Sequence, residues 1–317
     1  MNIPSANYYW RQNLLHSLLL LLAMLGLLAL IGWLVAGPEG AIWASAMVLL
    51  IVVSGSRASP YFILQLYHAR LINPGQAPRL YNMLDQLVDK AGIEYTPALY
   101  YLPSQVLNAF TMGLKKDTCI VISDGMLRNL NSRELAAVLA HEISHIRNHD
   151  LWVMLVADVL SRLTSLLALC GHLLILLYLP VLILSIQPVP WLLLIILVLA
   201  PNISALLQLA LSRTREYSAD LVAAQLTGDP LGLAEALQKI EYYQHNWIER
   251  LLLPGHRVPD PSLLRSHPTT KSRVVRLNNI ARDFVQHPAR FEKQYSDGWL
   301  EPAPTQKPKR RISGLWY

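Results

Sequence analysis

Of 317 residues, 53% are hydrophobic and only 15% are charged, well below the roughly 25% charge of soluble domains, so an ordinary water-soluble globular chain is excluded and membrane segments are expected. The net charge is +6, yet Lys and Arg are not interleaved with aromatics on one stretch; they stay out of the apolar runs and gather outside them, which argues for a membrane and against a nucleic-acid partner. Cys119 and Cys170 are the two cysteines and lie far apart, which excludes a disulfide framework and a cysteine-based zinc site.

No cleavable signal peptide is read at the N-terminus, because the first apolar run, Leu14 to Val35, is too long and lacks a clear small-residue cleavage site. That run is long enough to span a bilayer. Pro38-Glu39-Gly40 makes a turn, and Ala41 to Val53 is a second, shorter run of 13 residues, read as a span that borrows its flanks or sits in a thinned bilayer. Residues 1–56 are thus expected to form an N-terminal transmembrane hairpin.

Residues 57–162 are read as the first part of a soluble domain. Pro78 to Ala91 has Leu80, Met83, Leu84, Leu87 and Val88 at helical spacing. Ala98 to Leu102, Val106 to Met112 and Thr118 to Ser123 are strand-like, the last two joined through Gly113-Leu-Lys-Lys-Asp117 as a hairpin. An open edge of this small sheet could pair with an extended peptide; the plainer alternative is a solvated edge guarded by Lys115 and Lys116.

A helix follows from Arg133 to Ile146, started by the capping-box pair Asn131 and Glu134, with Ala136, Leu139, Ile143 and Ile146 on an apolar stripe. It carries His141-Glu142-Ile-Ser-His145. Residues four apart share one helix face, so the two imidazoles can aim at one point, with Glu142 beside them to touch a water without ligating. This H-E-x-x-H pattern offers two Zn²⁺ ligands and a general base. A surface helix that carries two His and a Glu by chance is the bland alternative, and the motif's place well inside a helix counts against it.

Residues 163–211 read as a second transmembrane hairpin: a clean apolar span from about Leu163 to Ile186, containing His172, then Val189 to Leu211 with a proline kink expected at Pro201. No Lys or Arg occurs from 12 to 56 or from 163 to 212, so the N-terminus, 57–162 and everything after 212 are expected on the cytoplasmic side. Within 212–285, the second part of the soluble domain, Glu216 and Asp220 are again four apart. Helices are expected from Gly228-Asp229-Pro230 to about Trp247 and from Pro268 to Val285. Residues 286–317 form a basic, Pro-rich tail expected to be disordered.

A catalytic zinc wants three protein ligands and an open position. Glu216 is the best third ligand, giving a His₂Glu set, and Asp220 can accept the free ring N–H of a ligating histidine. Were the His145 helix continuous with the third span, both ligand helices would emerge from the same membrane face. Glu142 would take a proton from the attacking water and pass it to the leaving amine. His267, Tyr217 and Arg213 are candidates to stabilise the oxyanion, and the residues do not choose among them.

The runs His141-Glu-Ile-Ser-His145-Ile-Arg-Asn148-His-Asp150, Ser212-Arg213-x-Arg215-Glu216-Tyr217-x-Ala-Asp220, Asn108-Ala109-Phe110-x-x-Gly113 and His267-Pro268-x4-Arg273 together resemble the HtpX family of membrane zinc metalloproteases, in the family's order and over nearly the whole chain. The resemblance implies an α+β, mostly helical protein: four transmembrane helices in two hairpins plus a gluzincin-like peptidase domain with a small sheet. It implies one Zn²⁺ per chain held by His141, His145 and Glu216, Glu142 as base, His267 over the metal, Asp220 and Arg213 in support, and Asn108, Ala109, Phe110 and Gly113 as the edge strand that binds substrate backbone. It also implies protein substrates, with quality control of membrane proteins in a bacterial plasma membrane as the role. His149 departs from the family's usual small or other polar residue. A homo-oligomer is compatible with the sequence. A catalytically silent zinc scaffold and a processing protease for lipidated peptides are the competing readings; the intact Glu142 argues against the first and the small number of spans against the second.

Overall fold

The long apolar runs fold as long helices, since only a helix satisfies its own backbone in the absence of water. The computed structural model describes residues 6–55, 60–114, 117–184, 191–251 and 269–286. The elements are α1 (Ala6–Gly55), α2 (Tyr61–Leu66), β1 (Arg70–Leu71), α3 (Pro78–Ala91), β2 (Ala98–Leu102), β3 (Ala109–Met112), β4 (Cys119–Ser123), α4 (Asp124–Asn129), α5 (Ser132–Arg147), α6 (Asp150–Leu184), α7 (Trp191–Thr227), α8 (Pro230–Leu251) and α9 (Thr270–Gln286).

The chain divides into two compact units. The first comprises Met1–Ala58 and Trp152–Arg215. Among the described residues three helices, not the expected four, are long and apolar enough to cross a membrane: Leu14–Ser54, Asp150–Leu177 and Trp191–Thr227. The difference lies in α1, which carries both N-terminal apolar runs. Non-helical backbone at Ala36 and Gly37, with Gly37 at φ 67°, breaks it just before Pro38. There the helix folds back on itself, because a Cβ on Gly32 would collide with the Gly40 carbonyl and one on Gly40 with that of Gly32. In a straight helix those residues would be about 12 Å apart. Met24 and Leu28 accordingly share a buried cluster with Val48 and Val52. The outer faces stay apolar: Leu22, Trp43, Leu50, Leu177, Trp191 and Leu206 are all more than half exposed, which suits a lipid surround and not water. His172 bonds the Ala168 carbonyl of its own helix at 2.6 Å, and α7 runs through Pro201 as helix.

The second unit comprises Ser59–Leu151 and Glu216–Tyr317. Its sheet has the order β1-β2-β4-β3, with β2 and β4 parallel and the outer pairs antiparallel. β4 is central and buried throughout, and β3 is an edge among the described residues. The Gly113 turn joins β3 to β4: its φ of 85° suits glycine, and a Cβ would strike the Asp117 carbonyl. One sheet face contributes Leu99, Ile120 and Ile122 to a core shared with α3, α5, α8 and α9. The other packs Val121 and Cys119 against Leu64, with Phe110 and Met112 beside them.

Helix α5 runs through the core of this unit and packs on α3, α8 and β3. Ala137, Val138 and Ala140 are buried along with the apolar stripe read from the sequence, so the helix is enclosed on nearly all sides. Its start is tied down. Asn131 Oδ1 accepts from Glu134 N at 2.9 Å while Asn131 N donates to Glu134 Oε2 at 2.9 Å, the reciprocal capping box. The same buried Glu134 carboxylate is met by Lys239 of α8 at 2.6 Å, and Arg133 forks onto Asp229 in the α7–α8 turn. These ties hold the start of α5 to the chain that follows α7.

Candidate metal centre

His141 and His145 lie well along α5, past the capped first turn, so the helix spacing alone stacks them. Their ring centroids are 4.7 Å apart and their planes nearly perpendicular. The two Nε2 atoms face each other at 3.2 Å. Glu216 on α7 brings its Oε2 to 3.3 Å from His141 Nε2 and its Oε1 to 3.7 Å from His145 Nε2. One ligand atom from each of the three residues lies within 4.8 Å of the others.

The opposite ring nitrogens are also engaged. His141 Nδ1 lies 3.2 Å from Asp220 Oδ1, and His145 Nδ1 lies 2.8 Å from Asp150 Oδ2. A carboxylate on each Nδ1 keeps a proton there and leaves each Nε2 as a lone-pair donor. Asp220 sits one turn past Glu216 on α7, as helical spacing dictates. Asp150 arrives differently: α5 ends at Arg147 and is not continuous with α6, because His149 takes a left-handed φ of 55°. That break brings Asp150, the first residue of α6, back against His145. Histidine is among the non-glycine side chains that tolerate this left-handed region.

Arg273 of α9 completes the cluster. Its Nε and Nη2 fork onto Asp220 at 2.9 and 2.6 Å, and its Nη1 lies 3.1 Å from Glu216 Oε2. It is nearly wholly buried. Burial opposes its charge, but Asp220 and then Glu216 outweigh that and hold it protonated. At His141 burial likewise favours the neutral ring, and the bonds to Asp220 and Glu216 overcome it, raising the group to about 10. The carboxylates of Asp220 and Glu216 thus favour positive charge on this ring, and a metal would take the place of that proton.

The donors converge closely enough to share one ion. Bonds of 2.0–2.2 Å place donor atoms about 3.3 Å apart; the two Nε2 atoms are 3.2 Å apart, and the Glu216 oxygen nearer each imidazole lies at 3.3 Å (Oε2 to His141) and 3.7 Å (Oε1 to His145). Two imidazoles and a carboxylate are a metal-ligand set that leaves a fourth position open. Glu142, buried beside His141, is not one of these donors; its Oε2 accepts a 2.7 Å hydrogen bond from the Thr111 hydroxyl on β3.

The remaining residues singled out from the sequence fall as follows. Arg213 is exposed; the guanidinium that meets the carboxylates of Asp220 and Glu216 is that of Arg273, whose helix touches α7 where Tyr217 meets Ser272. The Tyr217 hydroxyl is engaged in that 3.1 Å contact, and the Arg276 guanidinium covers its ring. His267, Lys115, Lys116 and the tail from 287 lie outside the described residues. Asn108 exchanges bonds with Ser123, its N donating to Ser123 Oγ at 3.0 Å and its O accepting from Ser123 N at 2.9 Å. Antiparallel alternation then turns the main-chain groups of Phe110 and Met112 toward β4 as well, and those of Ala109 and Thr111 toward the open edge. Asp150 and Arg273 stand in the runs quoted above but carried no assigned role, and Thr111 stood at a free position of its run.

Residues 74–281 match the profile of Peptidase family M48. The chain is 33% identical over 297 residues to a Protease HtpX homolog of Desulfatibacillum aliphaticivorans, covering 84% of this chain and 89% of that protein. The chain belongs to the HtpX-like group of peptidase family M48. A Protease HtpX homolog of Acaryochloris marina is 34% identical over 297 residues, with 84% and 96% of the two chains covered. One of Pyrococcus furiosus is 33% identical over 293 residues, with 84% and 95% covered. The solved structure of S. mikatae Ste24p aligns with a TM-score of 0.46 at 22% identity, over 86% of this chain and 67% of that one. M48 peptidases are metalloproteases, and this M48 chain is therefore a metalloprotease with membrane helices.

Asp150→Asn should lower metal affinity by about 10- to 100-fold, the usual effect of removing an outer partner of a ligating histidine. Competition with a chromogenic chelator reads the shift; affinity equal to wild type would show that the His145 tautomer is set by something else.

Proposed function

We propose that the chain is a zinc-dependent endopeptidase of a bacterial plasma membrane, with four spans, a cytoplasmic peptidase domain, and misfolded or damaged membrane proteins as substrates. The observation that carries the reading is the meeting of His141 Nε2, His145 Nε2 and the Glu216 carboxylate beside Glu142. The fold-back of α1 supports counting its two arms as separate spans. The absence of Lys and Arg from 12–56 and 163–212 supports a cytoplasmic peptidase domain.

His141, His145 and Glu216 would hold the zinc, which when bound would supply Lewis acidity and lower the pKa of water toward ~7. Asp220 and Asp150 keep the two imidazoles in the ligating tautomer. Glu142 accepts a proton from the attacking water and delivers it to the departing amine. The outward main-chain groups of Ala109 and Thr111 take an extended peptide by strand addition, which aligns the scissile bond.

Elemental analysis of the purified full-length protein, together with cleavage of labelled casein with and without chelator, tests the reading. One zinc per chain is expected, with cleavage lost to chelator and regained on adding zinc. Undiminished cleavage by metal-free protein would overturn it.

A further inference from the structure

Thr111 occupies a position that serves two surfaces at once. Its main-chain groups belong to the open edge of β3, and its hydroxyl reaches Glu142 on α5 at 2.7 Å. We infer that Thr111 is a positioning residue for the peptidase reaction, holding the Glu142 carboxylate in register with the peptide that pairs to β3. The inference rests on the proton-transfer role proposed for Glu142.

The terminal torsion of a glutamate is broad and two-fold, so a carboxylate left to itself interchanges its oxygens. The Thr111 hydroxyl donates at 2.7 Å, a full-strength hydroxyl–oxygen distance. It engages Oε2 and leaves Oε1 to receive the proton of the attacking water. Threonine is suited to this: its branched Cβ limits χ1 and fits a strand. The side chains of β3 alternate, Ala109 and Thr111 toward the α5 side and Phe110 and Met112 toward the Val121 cluster. A one-residue slip of the strand would turn the hydroxyl away from Glu142. Substrate register and base orientation therefore share one reference, since both are fixed by the same residue of a strand paired along its length to buried β4.

The test uses full-length protein in detergent, its zinc content by elemental analysis, its thermal midpoint, and kcat and KM on fluorescein-labelled β-casein. Thr111→Val, which keeps shape and loses the hydroxyl, should retain zinc and thermal midpoint and leave KM little changed. Its kcat should fall about ten- to a hundred-fold. Thr111→Ser should restore most of the rate. Wild-type kcat per zinc in Thr111→Val, equal impairment in Thr111→Ser, or a loss confined to KM or zinc content would each overturn the inference. Wild type and Glu142→Gln run alongside. A silent wild type, or a fully active Glu142→Gln, would remove the role of Glu142 and this inference with it. An active wild type and silent Glu142→Gln beside an undiminished Thr111→Val would remove this inference alone.

Discussion

Glu142→Gln is expected to keep its zinc and lower kcat by about 10²–10⁴-fold, the range of a positioned general base, or about 3–5 kcal/mol of barrier at 1.36 kcal/mol per decade. The amide has nearly the volume of the acid and its carbonyl can still accept from Thr111, so the buried contact at 2.7 Å is kept. What is lost is the capacity to take a proton. Glu142 lies outside the donor set of His141, His145 and Glu216, so metal content should not change. Cleavage of an unfolded membrane substrate at the wild-type rate by zinc-loaded variant would remove the mechanism.

Glu216→Ala acts on the other half of the chemistry. It deletes the one carboxylate, among the described residues, whose oxygens face both Nε2 atoms, leaving two ligands. Zinc affinity should fall by more than the ~100-fold upper range for outer partners, and proteolysis should fall with occupancy. The fold should survive, because Arg273 keeps its two bonds to Asp220. Titration with zinc under circular dichroism separates the two: intact helicity with weak binding is expected. Full zinc content in this variant would place the third donor elsewhere, with Asp150 and Asp220 next to be examined.

The local parts of this arrangement could be read without coordinates. The capping pair Asn131 and Glu134 starts α5 as its spacing says, and the run Pro78 to Ala91 is α3. Strands β2, β3 and β4 fall on the apolar runs, with a hairpin at Gly113. Each of these follows from interactions within a few residues. The N-terminal hairpin was legible as two runs and a turn; that they form one broken helix depends on the backbone at Ala36 and Gly37, which composition does not reveal.

Helical periodicity settled by itself that His141 and His145 share a face and that Glu216 and Asp220 do likewise, since side chains four apart must stack whatever the rest of the chain does. The chain path alone decided which charges meet them. Asp150 reaches His145 only because His149 turns left-handed between two helices, and Arg273 reaches Asp220 from more than fifty residues away only because α9 packs back on α8. Such contacts depend on long-range packing of apolar faces, and no spacing in the sequence encodes the distance between residues that packing brings together.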